Sequence, residues 1–337
     1  MFGGIMRQHP VSKISNIDHD LALFWTGQSI DYEVPKTNLY ITDPPYNIGV
    51  NYGAKVSDKK TQAKYHVLIK EIINDCYEKA DDDAHLFLIH YPESIAEMWH
   101  ILTEKWEFKQ WLSWNYPTNT GFSKSKFTRA HRTILWLTKG NPHFDSKAVT
   151  QRFKNLSVKK VKNKMAEGVP GVSLYDWWVI PQVKNISKEY KGYKNQIPSE
   201  LIRRIILSAS KPNDWVADPF AGSFSTARTS LSLGRRTWSC DINPDVEKLR
   251  PTLDDYISHE TDEKLGNIDS DDFDDVLKYI TQKNLNKVLF KLLIDSSEND
   301  LIRIIGKING PRIFNSLHGT GNSQDLTTLR DFSVDFN

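Results

Sequence analysis

Short apolar runs alternate with amphipathic stretches over residues 21–140 of this 337-residue chain. Leu39-Tyr40-Ile41 predicts a buried strand at residues 38–42, and a second apolar run predicts another at His85–His90. Between them, residues 63–79 carry apolar side chains at helical spacing, and residues 93–104 do the same. Strands are expected again around residues 109–115 and 131–138. Residues 141–170 lack periodicity, after which residues 198–250 read as helix, strand, turn, helix and strand. Such alternation predicts an α/β chain with a mostly parallel sheet flanked by helices. Residues 1–20 read as a loosely ordered lead.

Two of the predicted strand ends carry chemistry. The first strand runs into Asp43-Pro44-Pro45-Tyr46. Prolines cannot donate to a sheet ladder, so they force the chain out of the strand and fix its shape. A carboxylate, a carbonyl and an aromatic ring at one sheet edge suit a planar exocyclic amine. Asp43 and the Pro44 carbonyl can each accept one N–H while the Tyr46 ring stacks on the base. A plain strand end with a proline turn is the alternative reading of the same four residues. The second is Trp215-Val216-Ala217-Asp218-Pro219-Phe220-Ala221-Gly222-Ser223, which reads as strand, tight small-residue turn and helix start. A turn of this type lets backbone approach a nucleotide-like ligand. The helix is stopped at Gly234, and the next strand, Thr237 to Cys240, ends in Asp241, where a βαβ unit grips a ribose diol.

These motifs resemble the S-adenosylmethionine-dependent DNA amino-methyltransferases in their permuted beta arrangement, where Asp-Pro-Pro-Tyr precedes the cofactor motif as Asp43 precedes Asp218. The likeness spans residues 25–250. It includes Trp111 to Pro117, Phe127 to Gly140, Tyr175-Asp176-Trp177-Trp178 and Gln196 to Ile206. The resemblance implies a Rossmann-like methyltransferase fold and methylation of an exocyclic amine in a flipped base, adenine N6 before cytosine N4. It implies that Asp43, Pro44, Pro45 and Tyr46 are catalytic. S-adenosylmethionine is then expected against Asp218, Phe220, Gly222 and Ser223, with Asp241 on its ribose and Asn195 and Gln196 at its carboxylate end.

Three positions depart from the family pattern. Phe224 replaces a second glycine in the cofactor loop, where its ring either crowds the cofactor or points into the core. Tyr193 to Pro198 stands for a His-Pro-Thr-Gln-Lys-Pro element, and Gly27-Gln28 for a Gly-Asp that contacts the cofactor adenine, which makes Gln28 a candidate contact.

Net charge is +2, but its distribution is uneven. From Phe108 to Ala166 there are thirteen Lys/Arg and one acid, Asp145, whereas Asp254 to Asp275 holds ten acids and one base, Lys264. A charge run is often only a solvated face. Between the two halves of an amino-methyltransferase it is also where a polyanion must be held. The DNA-contact candidates are Lys124, Lys126, Arg129, Arg132, Lys159, Lys160, Lys162 and Lys164. The implied partner is double-stranded DNA, with a cognate restriction endonuclease and a homodimer as further candidates.

The expected organisation is a methyltransferase domain over residues 1–250, with 141–170 as recognition insertion. An acidic linker over 251–275 and a helical appendage over 276–337 follow. Cys76 and Cys240 are far apart and lack partner histidines at ligand spacing, so no metal site is expected and a reducing cytoplasm is the natural compartment. No membrane-length apolar run is legible. Two other classes compete: a non-catalytic DNA-binding relative, and a methylase of RNA or of a protein side-chain amide.

Overall fold

Apolar runs too short for helices become the central strands of the computed structural model, which describes residues 21–50, 58–117, 124–151, 153–169 and 171–251. The main sheet takes β1 (Ala22–Thr26), β2 (Thr37–Thr42), β3 (Ala80–His90), β4 (Glu107–Asn115) and β5 (His131–Lys139). It also takes β8 (Trp177–Val179), β9 (Trp215–Asp218) and β10 (Arg236–Asp241). The remaining strands, β6 (Thr150–Gln151) and β7 (Val172–Ser173), form a separate antiparallel pair. Strand order in the large sheet is β1-β10-β9-β2-β3-β5-β4-β8. Every neighbouring pair is parallel except those made by β5, which runs against both β3 and β4.

Consecutive side chains of a strand point to opposite faces, and the core divides accordingly. Tyr40, Leu86 and Leu88 pack on one face with Ile69 and Ile72 of α1 (Gln62–Lys79) and Met98 of α2 (Pro92–Leu102). Leu39, Ile41, Phe87 and Ile89 pack on the other with Leu201, Ile202 and Ile205 of α4 (Ser199–Ala209). Because both faces are covered, the central strands are apolar throughout rather than alternating. The Thr61 side chain accepts the Lys64 N–H at 3.4 Å and caps α1. Helix α5 (Ser225–Ser232) connects β9 to β10.

The expected strands and helices between residues 38 and 250 are present, their bounds shifted by a few positions. The sheet is also mostly parallel, as expected. Besides the short β6–β7 pair, three elements were not anticipated. β1 pairs in parallel with β10 at the sheet edge, β8 extends the opposite edge, and α3 (Lys159–Ala166) lies within the segment read as aperiodic. The acidic linker and the C-terminal appendage lie outside the described residues. Among the described residues no helix is long and apolar enough to cross a membrane.

Candidate active site

Adjacent strands end in carboxylates on one side of the sheet. Asp43 follows β2, Asp218 closes β9 and Asp241 closes β10, and β2, β9 and β10 are neighbours. All three line a single cleft, the place where open α/β sheets take ligands.

Asp218 is buried and saturated. Its carboxylate accepts from the Phe220 N–H at 3.0 Å, the Thr226 hydroxyl at 3.0 Å and the Thr42 hydroxyl at 3.1 Å. Burial nonetheless pushes it up to about 7, against the pull of these donors. Asp218 thus ties β2 to the start of α5 and sets the turn between. Asp241 does similar work, accepting from the Gly222 N–H at 2.8 Å and the Asn243 N–H at 2.8 Å. Each Asp241 oxygen keeps a lone pair for a further donor. Gly222 has φ +47, and a Cβ there would come within 2.9 Å of the Tyr193 ring. Only glycine fits between that ring and the turn without displacing one of them.

The cleft suits a ligand with S-adenosylmethionine's groups. Its lining includes Asp43 and Asp241, whose carboxylates have acceptor capacity to spare, together with Lys60 and Lys194. That donor set complements a sulfonium, a ribose diol and an amino-acid end. Gln28, Asn195, Phe220, Gly222 and Ser223 line it as expected from sequence.

Asp43 lines the same cleft. The Tyr46 hydroxyl donates to one of its oxygens, and the Arg132 guanidinium lies 3.8 Å from the other. Burial raises the Asp43 carboxyl to about 6, although Arg132 and Tyr46 both oppose the shift. The loop is held from below by a relay. The Tyr91 N–H donates to His90 Nδ1 at 2.8 Å, which leaves the proton on Nε2, 2.7 Å from the Tyr65 hydroxyl. Tyr65 in turn donates to the Pro45 carbonyl at 2.7 Å. Burial pushes His90 down to about 3, so the imidazole stays neutral and keeps this direction of donation at working pH. Asp58 then closes the following loop by accepting from the N–H groups of Gly49 at 2.8 Å and Val50 at 2.7 Å.

Three sequence expectations change, and the alternative left open at Phe224 is decided. Gln196 does not line the cleft: its carboxamide accepts from the Lys191 N–H at 2.9 Å and donates to the Glu189 carbonyl at 2.7 Å, folding its own loop. Phe224 is core, not cleft: it is 1 % exposed and meets Phe24 edge-on at 5.3 Å. Tyr46 lines the cleft, but its ring is largely covered. Its ring is 5 % exposed and packs at 4.6 Å on Tyr91, at 4.7 Å on His90 and at 4.8 Å under Arg132. Arg132 is 3 % exposed and cannot reach a phosphate. By contrast, Lys124, Lys126, Lys159, Lys160, Lys162 and Lys164 are exposed. Arg129 is half-buried, paired with Glu93 at 2.5 Å and stacked 4.0 Å over Tyr91. Sequence reading missed Asp58 and Tyr65, and it placed Tyr193 and Lys194 in a motif without giving either a role. Tyr65 alone carried a signal, as an inward position on an amphipathic helix.

A mostly parallel sheet whose strand ends present carboxylates around a glycine turn defines a nucleotide-cofactor enzyme of the α/β class. The chain belongs to the N6/N4 DNA methylase family, whose profile, described as DNA methylase, matches residues 37–250. It is therefore an S-adenosylmethionine-dependent DNA amino-methyltransferase. It is 27% identical over 241 residues to the DNA adenine methyltransferase YhdJ of Escherichia coli, covering 68% of this chain and 80% of that relative. To the type II methyltransferase M.HpaI of Haemophilus parainfluenzae it is 27% identical over 220 residues, 64% of this chain and 68% of that one. The solved structure of the PvuII DNA methyltransferase (cytosine-N4-specific) shares the fold, with a TM-score of 0.51 and 15% identity over 67% of this chain and 83% of that one.

Proposed function

We propose that this chain methylates adenine N6 in duplex DNA, with Asp43 as the principal catalytic group. The observation that carries the reading is the Asp43 carboxylate lining the same cleft as Asp218 and Asp241, on a loop that is itself tied to α1 and β3. The adenine assignment follows the Asp-Pro-Pro-Tyr sequence and the likeness to YhdJ, a DNA adenine methyltransferase. Cytosine N4 is the close alternative, since the chemistry is the same. A restriction-modification setting, with a cognate nuclease as partner, is suggested by the type II relative.

An aromatic exocyclic amine is a weak nucleophile because its lone pair is delocalised into the ring. Asp43 accepts an amine N–H, favours localisation of the lone pair, and stabilises the positive charge arising on nitrogen. When bound, S-adenosylmethionine supplies an electrophilic methyl, the S–C electron pair returning to sulfur as the N–C bond forms. The proton released from nitrogen can pass to Asp43, whose affinity for it is raised by burial. The base must leave the duplex to reach this depth. For Tyr46 to stack on it, the ring has to turn out from between Tyr91 and Arg132.

Digestion of methylated DNA to nucleosides with mass detection tests the reading. N6-methyladenine is the expected product. N4-methylcytosine would move the assignment to the alternative, and neither product on any DNA would sink the function.

The DNA path is proposed to follow the exposed lysines. Helix α3 buries none of its residues and carries Lys159, Lys160, Lys162 and Lys164. Each phosphate contact steepens the log–log salt dependence of affinity by about one unit. Neutralising all four lysines should flatten that slope and weaken binding on every sequence, while sequence preference survives. An unchanged slope would make α3 a solvated surface and place the DNA elsewhere.

A further inference from the structure

Arg132 stands at the second position of β5, a strand whose residues from Arg132 to Thr138 are all buried. A buried charge is costly unless paired, so its partners define its purpose. The guanidinium lies 4.8 Å from the Tyr46 ring, 5.2 Å from Trp114 and 5.8 Å from Tyr116, which encloses it in aromatic rings. Its counter-charge is Asp43 at 3.8 Å, too long for a hydrogen bond but short for Coulomb attraction in a dry site. The Arg132 Nε is buried and has no hydrogen-bond partner among the described residues. This group therefore is not saturated by structural bonds, as Asp218 is. It is aimed at the Asp-Pro-Pro-Tyr loop and touches two of its four members.

We propose that Arg132 is a positioning residue of the methyl-transfer site, an electrostatic anchor that keeps the Asp43 carboxylate charged and aimed while holding the Tyr46 ring. The inference rests on Asp43 being the catalytic carboxylate. The physical need is plain: burial of Asp43 favours its neutral form, and a neutral acid is a poorer acceptor for an amine acquiring positive charge. Arg132 from β5 and the Tyr46 hydroxyl oppose that tendency. Asp218 from β9 faces the same carboxylate, and the Asp43 charge helps hold the Asp218 carboxyl up at about 7. Asp58, Lys60, Lys194 and Asp241 line the same cleft. Arg132 is the cation placed against the carboxylate, and its position on a covered strand keeps that distance fixed.

The test compares wild type with Arg132→Met, Arg132→Gln and Arg132→Lys in the full chain. Single-turnover methylation is followed against pH, and the Asp43 carboxyl is titrated by 13C NMR with labelled aspartate. Its resonance is identified as the one missing in Asp43→Ala. In the Met and Gln variants the Asp43 titration and the acid limb of the rate should both move up by at least about one pH unit, a tenfold change in proton affinity. Rate lost at pH 6.5 should return in part at pH 8.5. Arg132→Lys should stay nearer wild type, and S-adenosylmethionine affinity by calorimetry should change less than about threefold, since Arg132 does not line the cofactor cleft. A lowered rate with an unmoved titration would reduce Arg132 to packing and overturn the proposal. Should the neutral variants not fold, wild type decides alone: an Asp43 midpoint above pH 8 overturns the anchor, and one near or below 6 supports it. Near-normal turnover by Asp43→Ala would instead sink the catalytic reading itself, whatever Arg132 does.

Discussion

Asp43→Ala is expected to lower single-turnover methylation at least about a hundredfold, on the order of 3 kcal/mol of transition-state stabilisation. The carboxylate acts on charge that arises only as the methyl moves, so the loss should fall on the chemical step rather than on DNA affinity. Circular dichroism and cofactor titration separate lost chemistry from lost fold. The pH dependence supplies a second signature. Burial holds the Asp43 carboxyl near 6, above its ordinary value of 3.8, so the charged acceptor is present above that range and lost below it. Wild-type rate should therefore rise with pH through about 6 and level off. A variant lacking Asp43 that kept wild-type turnover and the same acid limb would refute the assigned role.

Much of this site was legible because strand ends and tight turns announce themselves in short contiguous motifs. Asp43, Asp218 and Asp241 each terminate a predicted strand, and the parallel order of β2, β9 and β10 brings the three together. What failed was one-dimensional charge reading. Arg132 was counted with the exposed lysines because it sits in a basic stretch. β5, however, is covered on both faces, so the strand has no solvated side to receive a guanidinium. The available clue was an arginine at the head of the run Arg132-Thr-Ile-Leu-Trp-Leu, where a charge needs a buried partner. Gln196 failed for another reason. A loop carboxamide bonds whichever backbone groups the loop brings near it, and a motif correspondence says nothing about which. Asp58 was invisible because it reaches the cleft only through loop geometry. β8, with three residues, is too short for any period to register.

Phe224 gives the sharpest test of how this chain builds its cofactor turn with a phenyl ring where the resembled family places glycine. The residue has φ +58, a left-handed conformation that costs an L-residue roughly 1–2 kcal/mol. Its N–H bonds the Ala221 carbonyl at 2.7 Å and its carbonyl accepts from Arg228 at 3.0 Å, so the turn fixes that conformation. The ring offsets the strain by filling core against Phe24. Phe224→Gly should then lose the buried ring, worth about 3–5 kcal/mol, and recover part of it as relieved strain. A net loss of roughly 2–3 kcal/mol lowers Tm by about 5–10 °C for a unit of this size. Phe224→Ala opens nearly the same cavity and keeps the strain. It should therefore melt below the glycine variant, the reverse of the usual order, because glycine ordinarily costs more chain entropy than alanine. Neither change should alter S-adenosylmethionine affinity much, since Phe224 does not line the cleft. If Phe224→Gly bound the cofactor markedly tighter while Tm held, the ring would be crowding the pocket after all, and its assignment to the core would be wrong.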